Sequence, residues 1–456
     1  FHQGEGDVGH GVYVKGASVL QMLRGMLGEE IFWKGVQRYT QNHLNQLVET
    51  RDLQRAFEDV SGRNLGWFFQ QWVELPHVPE LSVRWQHQKG VLDVTVKQSG
   101  GKEQPMYTLP IEIEVGSQKT VTYHKSWIDD RSTRISIPME KAPDYVAFDP
   151  KKAILAKVTY EQDASEWKAQ LQSPSAHARL DAIYGLKEAK GAAELGAVLV
   201  DVTRHAVLRS TAAKQLGEMG EGSLMMEGLK DPHAAVRKAS IQALEKTTYK
   251  ESVPTLLGLY KKDPNPDVRA RVLDTLAALE PKKALELARK EVKSKKFRPA
   301  MLYSMLGVFR TLGALSDIPN ILEYGKKHGI RGSVLWSLTT ILNREELGTK
   351  RSKMRERIAR YTEDLLYDQN QRVREAAIRI LREVGDDRSI AHLKTLIQTE
   401  NLSSFHESAR SSIKEIRSRD DSISSKTPNE EAARLKEIEE RLENLEKDYK
   451  KLIEKY

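Results

Sequence analysis

One unit recurs along the second half of this chain and constrains its fold more than any other feature. An arginine follows an apolar or small residue, and another apolar residue stands eight positions after that first one. The instances are Ala178-Arg179 with Leu186, Leu208-Arg209 with Leu216, Val236-Arg237 with Leu244 and Val268-Arg269 with Leu276. Phe297-Arg298 with Met305, Ile330-Arg331 with Leu338 and Val373-Arg374 with Leu381 continue the series, and Ala409-Arg410, with Ile413 and Ile416 nearby, is a weaker eighth. Successive arginines are 30, 28, 32, 29, 33, 43 and 36 residues apart. Eight positions are about two helical turns, so each unit presents one apolar stripe. A single amphipathic helix pair cannot bury that stripe alone; stacked neighbours can, and the period predicts an α-solenoid.

Asp231-Pro232, Asp263-Pro264 and Asp368 precede three of these helices and supply the breaks between them. The Asp-Pro-x-x-x-Val-Arg pattern resembles HEAT-type repeats. Each arginine is expected to tie successive units together by reaching a neighbouring Asp. Phosphate or acidic-ligand binding is the alternative for these arginines.

Upstream the period differs. Residues 1–76 read as helices. Val19, Leu23 and Leu27 step by four, Thr50 is a plausible N-cap, Ser61-Gly62 a stop, and Asn64 to Trp72 a short aromatic helix. Over 77–160 the period falls to two: Leu81 to Trp85, Val91 to Val96, Ile111 to Val115, Val121 to Tyr123, Arg134 to Ile137 and Val146 to Asp149. Turns at Gln88-Lys89-Gly90, Ser99-Gly100-Gly101 and Asp129-Asp130 separate them, which predicts a β-sandwich. The solenoid is assigned to 161–417 and a polar linker to 418–429. In 430–456, Leu435, Ile438, Leu442, Leu445, Tyr449, Leu452 and Tyr456 step by three and four. That is a short coiled-coil seam, able to self-associate or to fold back on the solenoid. The fold class is mainly α with a β-sandwich module.

Composition excludes several chemistries. The 456 residues include no cysteine, which removes disulfides, thiolate metal ligands and a Cys nucleophile. The 72 basic and 64 acidic residues are interspersed, so the excess of eight charges does not single out a nucleic-acid partner. The run Lys290, Lys293, Lys295, Lys296, Arg298 is the one basic cluster that raises it, and reads as a solvated helix face. No apolar run is long enough to span a membrane. His406-Glu407 lacks the second His of a helical zinc motif. His2 and His10, with Glu5 and Asp7 between them, lie in a Gly-rich stretch unsuited to helical ligand spacing. There is no G-x-S-x-G elbow and no P-loop, and Gly4, Gly6, Gly9 and Gly11 follow no strand. Phe1 to Asp7 lacks an initiator Met and a signal-peptide pattern, so further polypeptide is expected upstream, and the compartment is open.

The segment Val12-Tyr13-Val14-Lys15-Gly16-Ala17, with Leu20 and Met22-Leu23-Arg24, resembles the stretch after the zinc site in zinc aminopeptidases of the membrane alanyl aminopeptidase family, a gluzincin group. The resemblance runs on through Gly28-Glu29-Glu30-Ile31-Phe32-Trp33, Thr50 to Glu58, Phe68-Phe69-Gln70-Gln71-Trp72, Pro79 and Leu109-Pro110. It implies the helical end of a gluzincin catalytic domain, followed by a β-sandwich and a HEAT-like domain. It implies that Tyr13 donates a hydrogen bond to the tetrahedral intermediate of peptide hydrolysis. The family's zinc ligands, general-base Glu and G-x-M-E-N motif lie upstream of that tyrosine and have no counterpart here. Zinc is therefore expected in the complete family enzyme and not in this chain alone. The implied partners are a peptide substrate and an upstream catalytic half, with the solenoid as a lid. The competing expectation is a non-catalytic scaffold that binds a peptide or protein.

Overall fold

A computed structural model describes residues 8–75, 77–99, 105–117, 120–294, 298–344, 348–400 and 402–419, with side chains from Tyr13 onward. The chain divides into two compact units, Phe1–Thr247 and Thr248–Tyr456. The coiled-coil seam from Leu435 to Tyr456 lies outside the described residues, as do His2, Glu5 and Asp7.

The first unit opens with α1 (Val8–Leu27), α2 (Glu29–Asn42) and α3 (Thr50–Ser61). Gly62 ends α3 in the left-handed region at φ 64°, the stop expected of a Ser-Gly pair. Its start differs from the sequence reading: Glu49, not Thr50, holds the N-cap position, and its backbone N–H donates to Asp52 Oδ2 at 2.8 Å. The aromatic helix is α4 (Gly66–Phe69), which widens into a π-helical turn over Gln70–Glu74. Phe68, Phe69 and Trp72 are buried there.

Seven strands follow: β1 (Glu80–Gln88), β2 (Val91–Ser99), β3 (Leu109–Ser117), β4 (Thr120–Ile128), β5 (Ser132–Pro138), β6 (Tyr145–Phe148) and β7 (Lys157–Tyr160). They form two sheets, β5-β2-β1-β7 and β4-β3-β6. The β1–β2 hairpin turns on Lys89 and Gly90, both at positive φ (50° and 75°), the pair a two-residue hairpin requires. Strand β7 was not legible as a strand: it has four residues and pairs parallel with β1, outside any hairpin. The helices and the sandwich share one core, in which Leu23, Phe57, Phe68 and Trp72 join Leu81, Val94, Ile113 and Phe148. Polar contacts cross the same seam. The Gln71 side chain exchanges two hydrogen bonds with the backbone of Thr108, at 3.1 and 2.8 Å.

The helical array begins with α5 (Ala164–Gln170), α6 (Ala176–Glu188), α7 (Ala192–Val200), α8 (Ala206–Met219), α9 (Met225–Gly228) and α10 (Ala234–Lys246). In the second unit follow α11 (Val253–Lys262), α12 (Pro266–Leu279), α13 (Pro281–Val292), α14 (Pro299–Leu312), α15 (Ile318–His328), α16 (Arg331–Arg344), α17 (Thr349–Leu365), α18 (Gln371–Val384) and α19 (Asp387–Thr399). A last helix, α20, covers residues 403–419. The +8 residues Leu186, Leu216, Leu244, Leu276, Met305, Leu338 and Leu381 are all fully buried, as the periodicity requires. None of the described helices is long and apolar enough to cross a membrane.

The unit arginines act in a more local way than the sequence suggested. Arg209 does reach the Asp of the next turn, donating to both oxygens of Asp231 at 2.7 and 3.0 Å. Arg331 likewise reaches Asp368 at 2.6 Å. The regular contact, however, is a donation from Nη1 back to the carbonyl six residues earlier: Arg179 to Ser173, Arg237 to Asp231, Arg269 to Asp263 and Arg374 to Asp368. The turn Asp in turn accepts from the backbone N–H two residues on, at His233, Asn265 and Asn370. That next residue caps the helix, accepting from Ala235, Asp267 and Arg372.

The Arg209–Asp231 pair is almost wholly buried. Burial pushes the Asp231 carboxyl up, but the hydrogen bonds from Arg209 and from the His233 backbone outweigh it, and its pKa falls below the ordinary value. Asp231→Ala leaves the Arg209 guanidinium buried without a carboxylate and should cost about 3–5 kcal/mol in urea unfolding. Lys230→Ala, which removes an exposed pair with Glu227, should change stability by less than about 0.5 kcal/mol. Asp93 supplies an acid-sensitive contact in the sandwich. Hydrogen bonds from Arg134 and then Ser136 lower its pKa to about 2. Its contribution is present above the unfolded value of about 3.9 and is lost as pH falls through about 2. Acid unfolding of Asp93→Asn should therefore begin from a lower stability at neutral pH and show a shallower decline below pH 4.

Candidate functional site

Helix α1 is fixed from one side. Val19, Met22, Leu23 and Leu27 are buried, and the backbone N–H of Leu155 donates to Met22 Sδ at 3.3 Å. Lys15 Nζ donates to the Leu75 carbonyl at 2.9 Å, tying the first half of α1 to the end of the π-helical turn. Burial lowers the Lys15 pKa. The Lys-Gly-Ala signature thus includes an anchor that spacing alone did not reveal, because its partner is a backbone carbonyl 60 residues away.

Tyr13 lies on the opposite, open side. It is 81% exposed, and its phenol makes no hydrogen bond among the described residues. Ala17 and Leu20 follow it on the same helical stripe and are exposed too. Trp33 at the start of α2 is 55% exposed; its Nε1 donates to Glu29 Oε2 at 3.1 Å, and Arg24 pairs with the same carboxylate at 2.5 Å. Tyr13 thus presents one hydroxyl donor on a helix whose other side is anchored, with Ala17 and Leu20 exposed along its stripe, while Trp33 lies by Arg24 towards the other end of α1.

The other sequence candidates are structural. His406 Nε2 contacts the Glu400 carbonyl at 2.7 Å, within the turn before α20. Arg298 of the basic run pairs with Glu291 at 3.1 Å, while Lys295 and Lys296 lie outside the described residues. The His10 side chain is likewise not described. A cleft of about 510 Å³ between β7 and helices α6 and α8 is lined by Tyr160, Asp181, Tyr184 and Gln215. Both of its carboxylates are paired, with Lys152 Nζ 2.6 Å from Asp181 and Lys187 Nζ 3.1 Å from Glu188. Among the described residues, no group of three or more His, Cys, Asp or Glu could hold a metal ion.

Residues 9–72, which contain Tyr13 and Lys15, match the Peptidase family M1 domain. Residues 222–298 match HEAT repeats and 373–399 the PBS lyase HEAT-like repeat. This is an M1 aminopeptidase-like chain with HEAT repeats. Aminopeptidase N of Lactococcus lactis subsp. lactis is 38% identical over 71 residues, 16% of this chain and 8% of that protein. Aminopeptidase N of Escherichia coli (strain K12) is 38% identical over 100 residues, 22% of this chain and 10% of that protein. Tricorn protease-interacting factor F2 of Thermoplasma acidophilum is 39% identical over 71 residues, 16% and 9% of the two chains. The matched stretches thus take in about a tenth of each relative. A solved structure, Legionella pneumophila aminopeptidase A in complex with aspartic acid, aligns at TM-score 0.46 and 14% identity, over 88% of this chain and 56% of that one.

Proposed function

We propose that this M1-like chain carries the tyrosine-bearing portion of a zinc metallo-aminopeptidase that removes N-terminal residues from peptides. The observation that supports the reading is Tyr13: it lies in the segment matched to the M1 domain, and it stands open on a helix whose other side is anchored. Attack on a peptide carbonyl places negative charge on its oxygen, and a phenol O–H aimed at that oxygen stabilises the charge more in the transition state than in the ground state. Tyr13 would donate that hydrogen bond and keep its proton throughout. Lys15 would position it by holding α1 to Leu75.

The described residues do not fit a zinc ion. They offer no group of three or more donors, and the sequence has no cysteine. In this reading the zinc ligands and the general base come from polypeptide other than the described residues, and no step is assigned to the metal here. The purified chain, dialysed against a weak chelator, should retain well under one zinc per chain by metal analysis. One zinc per chain would place the ligands within this polypeptide and overturn that assignment. In an active enzyme reconstituted with a zinc-bearing M1 segment, Tyr13→Phe should lower kcat by about 10²-fold or more on an aminoacyl anilide. An unchanged kcat would remove Tyr13 from the reaction.

A second reading, a non-catalytic HEAT-repeat scaffold for peptide or protein, draws on Tyr303 and Trp336, which are 69% and 64% exposed in the second unit. It predicts no gain of hydrolysis on adding a zinc-bearing segment, whereas the first reading requires one.

A further inference from the structure

The two most exposed aromatics among the described residues of the second unit, Tyr303 and Trp336, occupy one position in the repeat, whereas Tyr367, 51% exposed, lies elsewhere, after α17. Counting five residues from Arg269, Arg298, Arg331 and Arg374 gives Asp274, Tyr303, Trp336 and Arg379. The four lie on α12, α14, α16 and α18, which pack one after another in a single layer. Equal position in stacked parallel helices places them on a common stripe. Tyr303 and Trp336, 69% and 64% exposed, are therefore neighbours on one solvent face, and Arg379 extends the stripe, exposed, on α18. The Arg310 guanidinium stacks 4.3 Å from the Trp336 ring centroid and links α14 to α16.

From α14 to α18 the helices carry more arginine than acid, while Asp274 ends the stripe on α12 with the opposite sign. Helices α14, α16 and α18 carry one, two and four arginines against none, none and two glutamates. An exposed Trp and Tyr among arginines, on helices nearly free of acid, suit an acidic segment with spaced apolar side chains. The chain contains such a segment. Residues 430–446 hold seven glutamates against Arg434, Lys436 and Arg441, with Leu435, Ile438, Leu442 and Leu445 at three- and four-residue steps.

The point of departure fits as well. Arg419, the last described residue, donates to the carbonyls of Arg382, Glu383 and Gly385 at 2.8, 2.6 and 2.7 Å. This pins the chain at the C-terminal end of α18. Arg344 reaches the Gly313 carbonyl at 2.7 Å, which sets the ends of α16 and α14 in the same row. Ten residues from 420 to 429 reach about 33 Å when extended. Two helix spacings, from α18 to α14, need only about 20 Å.

We propose that the Tyr303–Trp336 stripe with Arg310 and Arg379 is the docking surface for this chain's own Glu-rich segment 430–446. The aromatic pair takes its leucine and isoleucine side chains, and the arginines take its glutamates. Because the chain has no cysteine, two introduced thiols report on contact without background. Thr340, one turn beyond Trp336 on α16, marks the stripe; Glu323 on α15, in the other layer, marks the opposite side.

The full-length chain would carry Thr340→Cys with Leu442→Cys, or Glu323→Cys with Leu442→Cys, under mild oxidation. Non-reducing electrophoresis then separates looped monomers from dimers. Looped monomer should form at least about tenfold faster for the first pair. Adding Arg310→Glu or Trp336→Ala to that pair should slow it several-fold, and 0.5 M salt should slow it too. Equal rates for the two pairs, or insensitivity to both extra substitutions, would overturn the docking surface. Dimers as the main product would overturn the choice of occupant and assign the Leu435–Leu452 seam to a second copy.

Discussion

The array depends on how the turn ahead of each arginine-led helix satisfies its own backbone. At Asp231 one carboxylate accepts from the His233 backbone and from the guanidinium of the preceding unit, while its carbonyl accepts from the following unit's Arg237. Three polar demands of a buried turn are met by one Asp and two arginines. The backbone N–H and carbonyl contacts recur around Asp263 and Asp368, with Asn265 and Asn370 in place of His233, and at Asp368 Arg331 again supplies the guanidinium of the preceding unit. A turn closed this way has its backbone groups satisfied while it is buried between helix layers. That lets neighbouring units approach closely, as at Gly217, where a Cβ would come within 2.6 Å of the Ala243 Cβ. The apolar stripe drives stacking, and the clamp fixes where each helix begins and so which residues the stripe contains.

This also explains what sequence reading could reach. The arginine-to-+8 pairing inside each unit, the Gly62 stop and the Lys89-Gly90 hairpin are local patterns, each set by residues within about two turns of one another, and the arginine spacing is that local pattern repeated. The carbonyl partners of the arginines were not legible, because a backbone acceptor carries no residue identity. Strand β7 has no local signature, because its pairing with β1 is parallel and about 77 residues distant. The π-helical turn at Gln70–Glu74 has no composition of its own; its burial of Trp72 against Tyr107 is a tertiary fact. Of the candidate site, Tyr13 was named through a family resemblance, whereas its support from Lys15 became visible only with Leu75 beside it.

The joint between sandwich and helices shows a second device. Glu114 on β3 is fully buried, yet accepts from Tyr145 on β6 at 2.9 Å and from Ser173, in the turn before α6, at 2.5 Å. Burial and the adjacent carboxylate push the Tyr145 phenol upward, so it stays a donor. Ser173 also offers its carbonyl to Arg179, the first of the unit arginines. The sandwich therefore seats the first solenoid turn directly: the residue that closes the array's opening clamp is held by a strand's carboxylate. Nearby, Trp167 of α5 lies over Gly185 of α6, where any Cβ would come within 2.1 Å of its ring.

Set beside these closed contacts, the open groups gain meaning. A side chain that must donate to a charge appearing only during reaction gains from having no partner of its own, provided its backbone is held. Tyr13 meets both conditions: a phenol 81% exposed, on a helix fixed by Lys15, Met22 and Leu23. Trp336 differs in kind. It already carries Arg310 on its ring, so its face is organised for a planar or acidic neighbour rather than for a reacting atom. In the proposed readings the first would be a donor held ready by its helix, and the second a surface held ready by its neighbours. Such preorganisation lowers the ordering cost of whatever binds or reacts there.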